Sequence, residues 1–225
     1  MRLLLILLSF IGFSTYAFQV EPLIQVVEES GNSSSATFRV ENNSSTVLEL
    51  EIEAMKREVE GRTGEKLSSG SRDFIIMPPM ASIEPGDYQV FRAKYLGNKK
   101  LSKASSYRIF FRQLPIQDSV STTSEVKFLF NIGALVFVNP HASSAMLNAS
   151  LEDELIVLSN EGNGVADLSK YKLSLIASSE SMTFPWQQVA KYGSASFLLP
   201  GQETTIPISE WYELSKPANS VSVTK

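Results

Sequence analysis

The chain has no cysteine and a single histidine among 225 residues. Without thiols there are no disulfides, no zinc–thiolate sites and no cysteine catalysis. A Ser–His–Asp triad or a histidine metal site would have to be built on His141 alone, and a loop histidine is the simpler reading. No Gly-rich phosphate loop is present. A block of basic residues is also lacking. The first 17 residues carry one Arg and no acid, so the remainder has 19 bases and 24 acids, a net charge of 19 − 24 = −5. Nucleic acid is therefore not an expected partner. Beyond residue 17 no stretch approaches the roughly 20 apolar residues that a membrane helix needs, so membrane insertion is not expected either. No cofactor or metal and no enzymatic activity are expected.

What is present begins with a leader. Arg2, the apolar run Leu3 to Phe13 and the small-x-small pattern Thr15-Tyr16-Ala17 read as a secretory signal over residues 1–17, with the mature chain starting at Phe18. An exported chain without disulfides must be held by its core, and its length suffices for one or two.

The rest reads as β. Val20 to Val27 is a strand interrupted by Pro22. Ala36, Phe38 and Val40 alternate with polar residues, as do Leu48, Leu50, Ile52 and Ala54 with Glu49, Glu51 and Glu53. A helix over LELEIEAMKREVE has the propensity, but the period of two favours a strand with the glutamates on a solvated face. Gly61 to Ser71 reads as a polar hairpin tip. Strands follow at Asp73–Met77, Tyr88–Tyr95 and Ser106–Gln113, separated by the Pro85-Gly86 turn and a basic loop from Gly97 to Ala104. Seven short strands with turn signals between them point to an immunoglobulin-like sandwich. A second β unit follows Pro140, with strands near 145–149, 154–159, 171–177, 195–199, 204–208 and 220–224. The expected division is a domain over 18–139 and another over 140–225, joined by a very short linker that implies a cleft.

The stretch that organises the chain is Ser124 to Pro140, SEVKFLFNIGALVFVNP. Its alternation reads as a strand that is apolar on both faces. Val126, Phe128, Phe130 and Ile132 lie on one, and Leu129, Leu135 and Phe137 on the other. A sheet with one wet face should be apolar on one side only. Either both faces are buried within the chain, or one is kept for a partner. Gly133 is expected to mark a bulge where the alternation shifts.

Several runs resemble one family. Ile83-Glu84-Pro85-Gly86 with Gln89 and Arg92 resembles an I-x-P-G-x-x-Q-x-x-R motif. Tyr107 to Pro115 (YRIFFRQLP) resembles its Y-R signature strand. Val136 to Pro140 is similar to the end of its first domain, and Leu155 to Gly162 (LIVLSNEG) to the start of its second. The family is the PapD-like periplasmic chaperones of chaperone–usher pilus assembly.

The resemblance implies an all-β fold of two immunoglobulin-like domains in a boomerang, a periplasmic location in a Gram-negative bacterium, and pilin subunits and an outer-membrane usher as partners. It implies donor-strand complementation, in which a strand of the chaperone completes a pilin that lacks its last strand. Val126, Phe128, Phe130 and Ile132 then form the donor face, with Leu135 and Phe137 turned to the protein's own core. Exposed edges of this kind invite self-association. The family's paired cleft bases fall on Leu135 and near Leu23 or Ile24, none of which is basic, and its domain-closing Arg falls on Asn139. Lys127, Arg39 and Arg112 are the candidate substitutes, each otherwise a solvated strand charge. The competing readings are a secreted immunoglobulin-like structural or adhesive surface protein, and a β-rich enzyme or carbohydrate binder using Phe184-Pro185-Trp186.

Overall fold

The computed structural model describes residues 18–60, 64–115, 128–177, 180–193, 195–208 and 218–225. The expected signal, residues 1–17, lies outside them.

The first unit is a sandwich of two sheets. Its strands are β1 (Phe18–Glu21), β2 (Ile24–Glu28), β3 (Ser35–Asn42), β4 (Leu48–Glu60), β5 (Gly64–Ser69), β6 (Phe74–Met77), β7 (Met80–Ile83), β8 (Tyr88–Tyr95), β9 (Ser105–Gln113) and β10 (Asn131–Asn139). One sheet runs β1-β3-β8-β6; the other runs β2-β10-β9-β4-β5, with β7 also on β4. The strand read over Val20–Val27 is thus two strands in two sheets. Pro22 has no N–H to give a ladder, so the chain leaves one sheet there and enters the other at Ile24.

Alternation places the core. Leu48, Leu50, Ile52 and Ala54 are buried while Glu51 is exposed, so the strand reading of this segment prevails over helix. Phe111 meets Phe38 and Phe91 edge-on at 5.4 and 5.6 Å, the arrangement favoured by aromatic quadrupoles. The polar tip expected over Gly61–Ser71 is shorter than read, because β4 continues and β5 pairs with it from Met55↔Ser69 to Glu60↔Gly64. As an edge strand with little burial, β5 shows no apolar alternation to read.

The second unit comprises β11 (Leu147–Glu152), β12 (Leu155–Asn160), β13 (Ala166–Asp167), β14 (Lys172–Ala177), β15 (Glu180–Pro185), the single turn α1 (Trp186–Val189), β16 (Phe197–Leu198), β17 (Glu203–Pro207) and β18 (Ser220–Thr224). It has its own buried cluster around Ile156, Leu158, Leu173, Trp186 and Ile206. Trp186 therefore belongs to a core, not to an aromatic loop site. Asn160 is fully buried yet satisfied: its amide donates to the carbonyls of Gly164 and Leu198, and its oxygen accepts from Met146 and Gly162. The fold is all-β, two immunoglobulin-like sandwiches.

Candidate functional site

β10 lies between β9 and β2 but is not covered equally on its two edges. Antiparallel pairing with β9 runs from Asn131↔Arg112 to Val138↔Ser105. Parallel pairing with β2 starts only at Leu135↔Ile24 and ends at Asn139↔Glu28. The Leu135 N–H donates to the Leu23 carbonyl at 2.8 Å, so its backbone groups point toward β2. Those of Gly133 and Asn131, two and four residues earlier, point the same way. Among the described residues no strand covers them. The cause is Pro22: the residues that would extend β2 past Gly133 have gone to the other sheet as β1. The seam they leave open is a groove of about 720 Å³ whose apolar lining includes Phe18, Val20, Pro22, Leu23 and Ile132.

The faces of β10 are the reverse of the expectation. Ala134, Val136 and Val138 are fully buried in the first core, and Ile132 packs against it. Gly133 and Leu135 lie on the outer face. Phe137, on that face too, is buried by the second unit, its ring 5.1 Å from that of Phe197. The period of two is unbroken, and that is why the face carrying Ile132 continues inward. Gly133 is not a bulge. It sits in continuous register opposite Phe110, whose ring covers it.

The strand is also shorter at its start than read from the sequence. Phe128, Leu129 and Phe130 precede it without strand structure. Phe128 is 79% exposed and Phe130 45%. Phe130 is tied down, its carbonyl accepting from the Gln113 N–H at 2.9 Å and its N–H donating to the Gln113 side chain at 3.2 Å. Val126 and Lys127 lie outside the described residues.

The two positions where bases were expected are neighbours, Leu135 opposite Ile24, and both are apolar. Of the candidate substitutes, Arg39 is on the other sheet. There it pairs with Glu41, and its guanidinium lies 3.9 Å from the centre of the Tyr88 ring. Arg112, on β9, is paired with Asn131 across the covered edge of β10 and is held by Glu53 at 2.6 Å. The base nearest Leu135 by register, Arg108, was not singled out from the sequence. Its alternation with Phe110 and Arg112 shows a shared face, but the register that sets it beside Leu135 is a tertiary fact. The Arg108 guanidinium makes a two-pronged contact with Glu65, which Arg57 also reaches at 2.6 Å. The Arg108 bond first, and Arg57 with it, outweigh partial burial and hold the Glu65 carboxyl below its ordinary range.

His141 lies 3.3 Å from Glu28 on an exposed loop. Among the described residues no three His, Asp or Glu side chains gather as metal ligands, and no helix is long and apolar enough to cross a membrane.

The model of the PapD N-terminal domain, described as a pili and flagellar-assembly chaperone, matches residues 21–144. The fold is similar to that of the class 5 fimbriae chaperone CfaA, at 18% identity and a TM-score of 0.60, covering 92% of this chain and 98% of that one. It is also similar to the E. coli chaperone DraB, at 14% identity and 0.57, covering 93% and 94%. A third likeness is to a chain of the Salmonella enterica SafA pilin–SafB chaperone complex, at 12% and 0.58, covering 88% and 87%. No curated protein matches by sequence.

Proposed function

Because the chain belongs to the pili and flagellar-assembly chaperones, we propose that it holds folding fimbrial subunits by lending them the open edge of β10. The observation that carries this is the edge at Asn131 and Gly133, bare among the described residues and led by exposed Phe128 and Phe130. Backbone groups of that edge add a strand to a subunit, and alternate side chains fill its pockets. Val126, Phe128 and Phe130 are the donor side chains, and Ile132, already against the chaperone's own core, is where donation ends. Burying an aromatic or aliphatic side chain is worth roughly 1.5–3 kcal/mol. A few such residues hold a subunit yet leave it exchangeable once association costs are met.

On this reading the chain divides between Asn139 and Pro140 into the subunit-binding domain and a second one. The role is non-enzymatic, the site of action is the periplasm, and delivery is to an outer-membrane usher. Arg112 and Arg108 are the described bases best placed to receive a subunit's anionic group. The experiment is to mix or coexpress the chain with a cognate fimbrial subunit and follow subunit solubility. Protection is expected, and a subunit that aggregates equally with and without the chain would refute the reading.

A further inference from the structure

The passage from the first sandwich to the second is held from both sides. Glu29, directly after β2, is only 7% exposed. One of its carboxylate oxygens accepts from the His141 N–H at 3.1 Å, and the other accepts from the N–H of Leu101. Its own N–H donates to the Asn139 carbonyl at 2.8 Å. One residue thus ties together the end of β2, the loop between β8 and β9, and the linker.

The same segments grip the second sandwich. The Asn139 side-chain oxygen accepts from the Val165 N–H at 3.0 Å. The Ala104 N–H, at the end of the loop that Glu29 holds, donates to the Asn163 carbonyl at 2.8 Å. Asn163 in turn caps the linker, accepting from the Ser144 N–H at 2.9 Å. Bonds from backbone N–H groups to a carboxylate are among the stronger ones, and a buried donor that loses its acceptor bears the full desolvation cost.

We infer that Glu29 is a positioning residue: by holding the linker and the 97–104 loop on one carboxylate, it sets the angle between the two sandwiches. That angle decides how the open edge of β10 faces the second sandwich. Only this last consequence rests on the chaperone reading.

The angle is measurable without any subunit. The chain lacks cysteine, so Lys94→Cys and Glu152→Cys, one exposed site in each sandwich, accept a pair of spin labels for pulsed dipolar distance measurement. The otherwise unaltered chain should give one narrow distance distribution. Glu29→Ala should broaden it at least twofold. Glu29→Gln keeps the shape and one acceptor, so it should broaden it less while the circular dichroism spectrum stays unchanged. If Glu29→Ala does not fold, the Gln variant decides. A folded variant whose distribution matches the parent's in centre and width would overturn the inference. Subunit capture is then read on the same variants. A broadened distribution with full capture would overturn the link to binding, whereas failure of the parent to capture would overturn the chaperone reading and leave the clamp standing.

Discussion

The ring of Phe110 lies across Gly133, and a β-carbon on that glycine would sit 2.8 Å from Phe110 Cε1. Glycine ordinarily weakens a strand, and a cross-strand aromatic cover offsets the loss. The pair keeps the outer face of β10 low beside its open edge.

Gly133→Ala should therefore overpack this contact and lower stability by about 1–3 kcal/mol, seen as a drop in melting temperature. In a Phe110→Ala background the same change should cost much less. A double-mutant cycle with no coupling between the two positions would show that the ring is not the reason for the glycine.

Phe128→Asp combined with Phe130→Asp should leave melting nearly unchanged, because both side chains are exposed and lie before the strand. Copurification with a fimbrial subunit should be lost. A variant that still copurifies would place the donor residues elsewhere.

Arg112→Ala should weaken subunit capture about tenfold, the scale of one charge-assisted hydrogen bond. Arg39→Ala should not, since Arg39 lies on the opposite sheet with Glu41 and Tyr88. Equal losses from both would mean that general positive charge, not position, matters. Lys127→Ala tests the candidate outside the described residues by the same yield of complex.

Glu65 carries a pH dependence. Its folded carboxyl titrates below the ordinary value of 4.5 because Arg108 and Arg57 hold it ionised. A group lowered on folding contributes stability above its unfolded pKa and loses it as pH falls through the folded one. The acid limb of the melting curve below about pH 4.5 should thus be shallower in Glu65→Gln than in the parent. Melting temperatures recorded from pH 3 to 7 (roughly the span that brackets a carboxyl) check this, and parallel curves would contradict it.

Asn160→Ala should destabilise the second sandwich by about 2–4 kcal/mol, since it strips partners from buried backbone groups. Those groups are the carbonyls of Gly164 and Leu198 and the N–H groups of Met146 and Gly162. In a Trp211→Phe background, which leaves Trp186 as the single tryptophan, urea unfolding followed by fluorescence reports that sandwich, because Trp186 is in its core. An unshifted midpoint would refute the role.

Much of the architecture was legible along the chain. Strands such as Tyr88–Tyr95 and Ser105–Gln113 carry apolar residues at every second position, and burial against one face of a sheet demands that period. The Tyr-Arg and Ile-x-Pro-Gly runs pointed to the family, whose model matches residues 21–144. Elements without apolar alternation were not legible. β5 is a polar edge, β7 is four residues long, and α1 is a single turn. No local pattern distinguishes such pieces from loop.

The candidate site divides in the same way. The composition of Ser124 to Pro140 showed by itself that one strand carried more apolar surface than a single core would use. Which face was spare could not be read there, because both faces carry similar residues. Packing decided it. The Ile132, Ala134, Val136 and Val138 side chains fill the first core, and Phe137 is covered by Phe197 from 60 positions further along the chain. What stays uncovered among the described residues is the backbone edge at Asn131 and Gly133, with exposed Phe128 and Phe130 before it. Among the described residues no strand covers that edge, because Pro22 sends β1 to the opposite sheet, a pairing between distant segments that no local pattern records. Side-chain period is a property of neighbouring residues and so is written in the sequence. Register, edge coverage and the angle held by Glu29 are relations between segments far apart in the chain, and only the folded structure sets them.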